Sequence, residues 1–147
     1  MRGPTLLIAA ALAALAGGAP AATVTVDVAG GGDYETIQAG IDAVSEGDTV
    51  LVYPGTYTGE GNRDLSFGPK NIALIGRDGR DATIIDCNSA VSHHGIYLNN
   101  TGQDTTCLIR GLTIQEAQNA QPMDPGGGVR LRGSSPKIMD CRIQYCM

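Results

Sequence analysis

The chain has no tryptophan, one phenylalanine and five tyrosines among 147 residues. A globular core of this size normally fills with large rings, so the composition favours a narrow core of stacked aliphatic side chains. Positive charge is also scarce: 10 Lys and Arg stand against 15 Asp and Glu, a net charge of −5, with no basic run beyond a scattered pair. Nucleic acid binding needs clustered Lys and Arg, so no nucleic acid partner is expected. The two histidines and four cysteines do not follow the spacing of a zinc site, so neither a metal nor a cofactor is expected. Abundant instead are 21 glycines and 42% hydrophobic residues. Together they suit a chain of many short apolar strands and frequent turns.

The N-terminus carries a targeting signal. Arg2 gives a short positive region, and Leu6 to Ala16 is an unbroken apolar run of 11 residues, too short to span a bilayer. Gly17-Gly18 breaks it, and Ala19-Pro20-Ala21 fits a small-x-small cleavage site. Residues 1–21 are therefore expected to be a signal peptide, and residues 22–147 the exported domain. No later apolar run reaches the length of a transmembrane helix, so the exported chain is expected to be extracellular, cell-surface or periplasmic.

Two interleaved apolar ladders organise the remainder. The first is Val50-Leu51-Val52, Ile72-Ala73-Leu74, Ile96-Tyr97-Leu98 and Val129-Arg130-Leu131, with steps of 22, 24 and 33 residues. The second is Thr83-Ile84-Ile85-Asp86-Cys87, Leu108-Ile109-Arg110-Gly111-Leu112 and Lys137-Ile138-Met139-Asp140-Cys141, with steps of 25 and 29. A repeat of this length marks a solenoid, and two short strands per unit without a helix predict parallel strands stacked rung on rung. About four rungs are expected. The polar stretch Gln115 to Gly127 is an insertion that accounts for the longest step.

Local patterning fills in the rest. Thr23 to Val28 alternates as a strand, and Asp33 can cap a helix from about Tyr34 to Val44 whose stripe is Ile37, Ile41 and Val44. That amphipathic helix would close the N-terminal end of the coil. Tyr53-Pro54-Gly55-Thr56-Tyr57 reads as a turn, and Leu65 and Phe67 as the first rung's copy of the second ladder. In Ile138-Met139-Asp140-Cys141-Arg142-Ile143 strict alternation fails unless Asp140 is a sharp bend; its equivalents are Asp86 and Gly111. Gly and Asp tolerate the left-handed backbone such a bend needs. The bend sends Ile138, Cys141 and Ile143 inward and leaves Ile85, Arg110, Met139, Thr113 and Arg142 outside. Cys87 and Cys141 then occupy equivalent positions two rungs apart, roughly 10 Å, beyond disulfide reach. Both are expected in the core, whereas Cys107 and Cys146 are left open to pairing elsewhere.

Gly32-Asp33-Tyr34-Glu35-Thr36-Ile37-Gln38-Ala39-Gly40-Ile41-Asp42-Ala43, followed by Gly47-Asp48-Thr49-Val50-Leu51-Val52-Tyr53-Pro54-Gly55-Thr56-Tyr57, resembles the opening of right-handed parallel β-helix proteins of the pectin-lyase-like superfamily. Lys70 to Gly76, Thr83 to Cys87, Gly126 to Val129, Ser134 to Ile138 and Asp140 to Ile143 extend the likeness over residues 24–146. The resemblance implies an all-β, right-handed parallel β-helix. The enzymes of that superfamily use paired aspartates with an arginine, or clustered carboxylates, and neither constellation occurs here. Asp64, Asp78, Asp81, Asp104 and Asp124 are scattered over turns, His93-His94 reads as an exposed turn pair, and Gln103-Asp104-Thr105 as a solvated turn. No catalytic residue is assigned. What remains is a surface on which Leu51, Ala73, Tyr97 and Arg130 face outward. Tyr97 and Arg130 on neighbouring rungs are the candidate binding pair, an aromatic to hold a sugar ring and an arginine for its carboxylate.

The expectation is a non-catalytic secreted or surface module that binds a polysaccharide or cell-surface glycan, or acts in adhesion. The alternative is the N-terminal part of a polysaccharide lyase, hydrolase or pectin esterase whose catalytic rungs lie beyond residue 147. The fourth rung shows no cap in the sequence, so the domain is expected to be truncated there, its open end docking to further repeats or to a partner.

Overall fold

The computed structural model describes residues 19–118 and 127–147. The expected signal peptide falls almost wholly outside the described residues, as does most of the Gln115 to Gly127 insertion. The rest is a parallel β-solenoid of about four turns with one short helix at its N-terminal end.

Three sheets form its faces. The five-stranded face stacks β1 (Thr23–Val26), β2 (Thr49–Val52), β4 (Ala73–Gly76), β7 (Leu108–Arg110) and β10 (Lys137–Met139). The four-stranded face stacks β3 (Gly55–Thr58), β5 (Thr83–Asp86), β8 (Thr113–Gln115) and β11 (Arg142–Gln144). The third face pairs β6 (Ile96–Asn99) with β9 (Val129–Arg132), and an isolated bridge adds Leu65 beside Ile96. Every pairing is parallel, so inward side chains stack into columns. One column is Val24, Val50, Leu74, Ile109 and Ile138. A second is Tyr57, Ile85, Ile114 and Ile143.

The ladders visible in the sequence are therefore regrouped. β2 and β4 belong to one face, but the copies at Ile96 and Val129 form another. Leu65 aligns with Ile96, not with the second ladder. The Tyr53-to-Tyr57 segment turns only at its start, since Gly55 already begins β3. Ile85, expected outside, is fully buried, because it pairs with Ile114 and not with Arg110. β5 is a strand of the four-stranded face, the counterpart of β8 beyond the corner and not of β7 before it. The same reassignment removes Asp86 from the bends, since it pairs with Gln115: Gly111 (φ 69°) and Asp140 (φ 50°) are left-handed and Asp86 is not. Thr113, also expected outside, is buried, and its hydroxyl is satisfied there by donating to the Arg80 carbonyl at 2.8 Å. Cys87 and Cys141 are not equivalent positions: Cys87 follows β5 and is buried, while Cys141 follows the Asp140 bend and is partly exposed. All four thiols are free.

The helix α1 (Ile37–Ala43) is shorter than its apolar stripe predicts. Asp33 does not cap it: its carboxylate accepts from the Thr25 amide and hydroxyl, both at 2.8 Å, and Tyr34 is held by a bridge to Val26. Asn62 reaches back instead and accepts from the Ile37 amide at 2.9 Å. At the other end Lys70 Nζ donates to the Ile41 and Val44 carbonyls, supplying the charge complement of a helix C-terminus. Ile37 and Ile41 are buried, and the helix covers β1 and β2 at the start of the coil.

Gln103 also departs from expectation. It is buried, not solvated. Its amide donates to the Gly68 and Lys70 carbonyls, and its carbonyl accepts from the Thr101 and Ser134 hydroxyls. This one side chain thus ties loops of successive turns together. Gln103→Leu strands those partners in a dry site and should cost about 2–3 kcal/mol. Urea unfolding checks this, and an unchanged midpoint would show that the four bonds are replaced by water.

Candidate functional site

The outer side of the two-stranded face carries the polar cluster. Ile96 and Leu98 point inward and are fully buried, which turns Tyr97 outward between them. Parallel register places Tyr97 beside Arg130 on the next turn, and the Arg130 guanidinium lies 5.7 Å from the centre of the Tyr97 ring. The two residues singled out in the sequence are thus brought together. At this distance the guanidinium is within reach of the ring's negative face.

Three residues missed in the sequence join them. His94 stacks on Tyr97 with ring centres 5.0 Å apart. Asp64 accepts from the His94 amide at 2.7 Å and lies 2.5 Å from His93 Nδ1. The same carboxylate is 3.6 Å from His94 Nδ1. The backbone dictates this meeting. Leu65 aligns with Ile96, so Asp64, itself left-handed at φ 50°, falls beside Gly95 and the two histidines preceding β6. A Cβ on Gly95 would lie 2.3 Å from the Ile114 side chain and 2.8 Å from the Gly128 carbonyl, so only glycine admits this approach.

The two imidazoles differ in environment. His94 is buried, whereas the His93 side chain is 31% exposed. Burial pushes the His94 pKa below its ordinary value and outweighs the attraction of Asp64, with Arg130 adding to the depression. His94 is therefore a neutral stacking partner near pH 7. His93, held by a carboxylate and open to solvent, has the arrangement of an oriented imidazole. Among the described residues no serine, threonine or cysteine side chain bonds to it, so no nucleophile completes the pair. Nor does any group of three or more His, Cys, Asp or Glu among the described residues sit where it could hold a metal ion.

In the sequence Asp64 stood among scattered turn acids and His93-His94 passed for an exposed pair. Burial of His94 corrects the second reading. The one available signal was the Leu65-Ser66-Phe67 alternation, which the sequence aligned with the second ladder and not with Ile96.

Neither a family model nor a curated protein sequence matches the chain. Geometry alone defines its class, a parallel β-solenoid with a polar cluster on its two-stranded face. No helix among the described residues is long and apolar enough to cross a membrane.

Proposed function

We propose that the chain is an exported, right-handed β-helix module of the pectin-lyase-like kind that binds an acidic polysaccharide or cell-surface glycan without cleaving it. The supporting observation is the in-register pair of Tyr97 and Arg130, a ring and a guanidinium side by side on an outward sheet face. Such a pair offers an apolar surface for a sugar and a fork for its carboxylate. The stacked His94 stiffens the tyrosine, which lowers the ordering cost of binding.

An enzymatic alternative draws on one contact, the Asp64–His93 bond. On that reading the chain is part of a lyase, hydrolase or esterase, with His93 as a proton acceptor awaiting further catalytic groups.

Calorimetric titration with oligogalacturonate separates the two, run beside assays for unsaturated sugars and released methanol. The binding reading predicts saturable heat, a loss of roughly tenfold in affinity on Arg130→Gln or Tyr97→Ala, and no product above a blank. Product that disappears in His93→Gln would establish the enzyme reading. Absence of both heat and product would remove acidic glycans as the ligand.

A further inference from the structure

The cleft at the corner between the five-stranded and four-stranded faces arises from a difference in turn length. In the third and fourth turns the chain rounds this corner through one left-handed residue, Gly111 or Asp140. In the second turn it makes a longer excursion over residues 77–82, which overhangs those tight bends. The overhang is fixed from below. A Cβ on Gly76 would meet the Gly111 carbonyl at 2.1 Å, so the two backbones are in contact. The Thr113 hydroxyl holds the Arg80 carbonyl, and Arg142 Nη1 lies 2.8 Å from Asp81.

The resulting space is about 460 Å³, within the usual range for small-ligand sites. Its chemistry is unusual for such a site. Among the described residues Ile75 is the single apolar side chain in the lining, while Arg77, Arg80 and Arg110 all face it. Three arginines in one cleft are a concentration of positive charge in a chain of net charge −5.

The acids nearby are already engaged, strongly or weakly. Arg77 is committed to Asp78 at 2.9 Å and lies 4.0 Å over the Tyr53 ring, which fixes its position. Asp81 is held by Arg142. Arg110 Nε is 3.5 Å from Asp140, longer than a good hydrogen bond, and both side chains are more than half exposed. An exposed pair at this distance is weak and readily exchanged. Arg80 forms no ion pair with any described residue.

We propose that this cleft binds a monosaccharide-sized ligand carrying an oxyanion (a carboxylate, sulfate or phosphate) through Arg80 and Arg110, with Asp140 as the intramolecular competitor for Arg110. The planar guanidinium matches such oxyanions with two parallel bonds, and the small apolar lining excludes a hydrophobic ligand. The cleft shares no residue with the two-stranded face that carries Tyr97 and Arg130, so the two sites succeed or fail separately.

Titrations of the purified chain with glucuronate, glucose 6-sulfate, glucose 6-phosphate and neutral glucose, followed by NMR shifts, test this. At least one anionic sugar should move the amides of Gly79 and Gly111, and glucose should not. Which anion binds tightest identifies the oxyanion. Arg80→Gln and Arg110→Gln should each weaken binding roughly tenfold. Asp140→Asn should tighten it roughly threefold, because asparagine keeps the left-handed bend while the competing charge is removed. Arg132→Gln on the two-stranded face removes the same charge elsewhere and should change nothing. The proposal is overturned if no anionic sugar binds at millimolar concentration. It is also overturned if Arg132→Gln weakens binding as much as Arg80→Gln, or if Asp140→Asn weakens it.

Discussion

Gly76→Ala should destabilise the protein by about 3 kcal/mol or more, a large part of the ~5–15 kcal/mol that holds a typical domain together. The backbone of Gly76 ends β4 directly over the Gly111 bend, and the added methyl would sit 2.1 Å from the Gly111 carbonyl and 3.1 Å from the Leu112 side chain. The nearest atom is backbone, so no rotamer change relieves the clash, and the second turn must lift off the third. For a chain of this size a loss of that magnitude lowers Tm by roughly 10 °C. Gly79→Ala is the informative control. Gly79 has φ +87° with nothing within 4 Å of its missing Cβ, so alanine there carries only the conformational cost, about 1 kcal/mol. Thermal unfolding followed by circular dichroism compares the two. Equal shifts would mean that the close approach of the two glycines is not maintained in solution.

Ile109→Ala should cost about 2–5 kcal/mol, because it empties the middle of a column in which nothing else can fill the gap. Ile109 is fully buried between Leu74 on one turn and Ile138 on the next. The same change at Ile138 removes the same atoms from a partly exposed position in that column and should cost about 1 kcal/mol or less. Urea midpoints of the two variants measure this gradient directly. A cost at Ile138 as large as that at Ile109 would mean that the fourth turn is covered in solution, for example by self-association, which sedimentation would reveal.

The solenoid itself was legible in the sequence, and so was the stripe of the N-terminal helix, because both depend on local periodicity. Ile37 and Ile41 are buried as their helical spacing requires, whereas Val44, also buried, lies just past the end of α1 in extended backbone. Assignment of strands to faces was not legible. Leu74 and Leu98 occupy similar apolar-x-apolar triplets, yet they lie on different faces. What separates them is β5, which lies between them, so that β4 and β6 are the first and third strands of one turn and not copies on successive turns. The Asp140 and Gly111 bends were recognisable by residue type, since each interrupts alternation with a residue tolerant of positive φ.

The candidate site divides in the same way. Tyr97 and Arg130 could be paired because they hold the same place in neighbouring repeats and extend in register. Asp64 and His94 could not, because their meeting depends on a lone bridge at Leu65 and on backbone contacts around Gly95. The arginine-lined corner was equally hidden. Arg80 lies in an irregular excursion, and only the three-sheet arrangement brings it to the same cleft as Arg110.

Backbone nuclear Overhauser contacts in the folded chain test the three-faced coil most directly, because the arginine cleft and the contacts of Asp64 with the histidines depend on it. The register predicts contacts between Tyr97 and Arg130 and, separately, between Leu74 and Ile109 and between Ile109 and Ile138. Backbone contacts from Leu74 to Leu98 with none to Ile109 would contradict it, restoring a two-ladder coil in which Tyr97 and Arg130 remain neighbours but the arginine cleft does not take the form described.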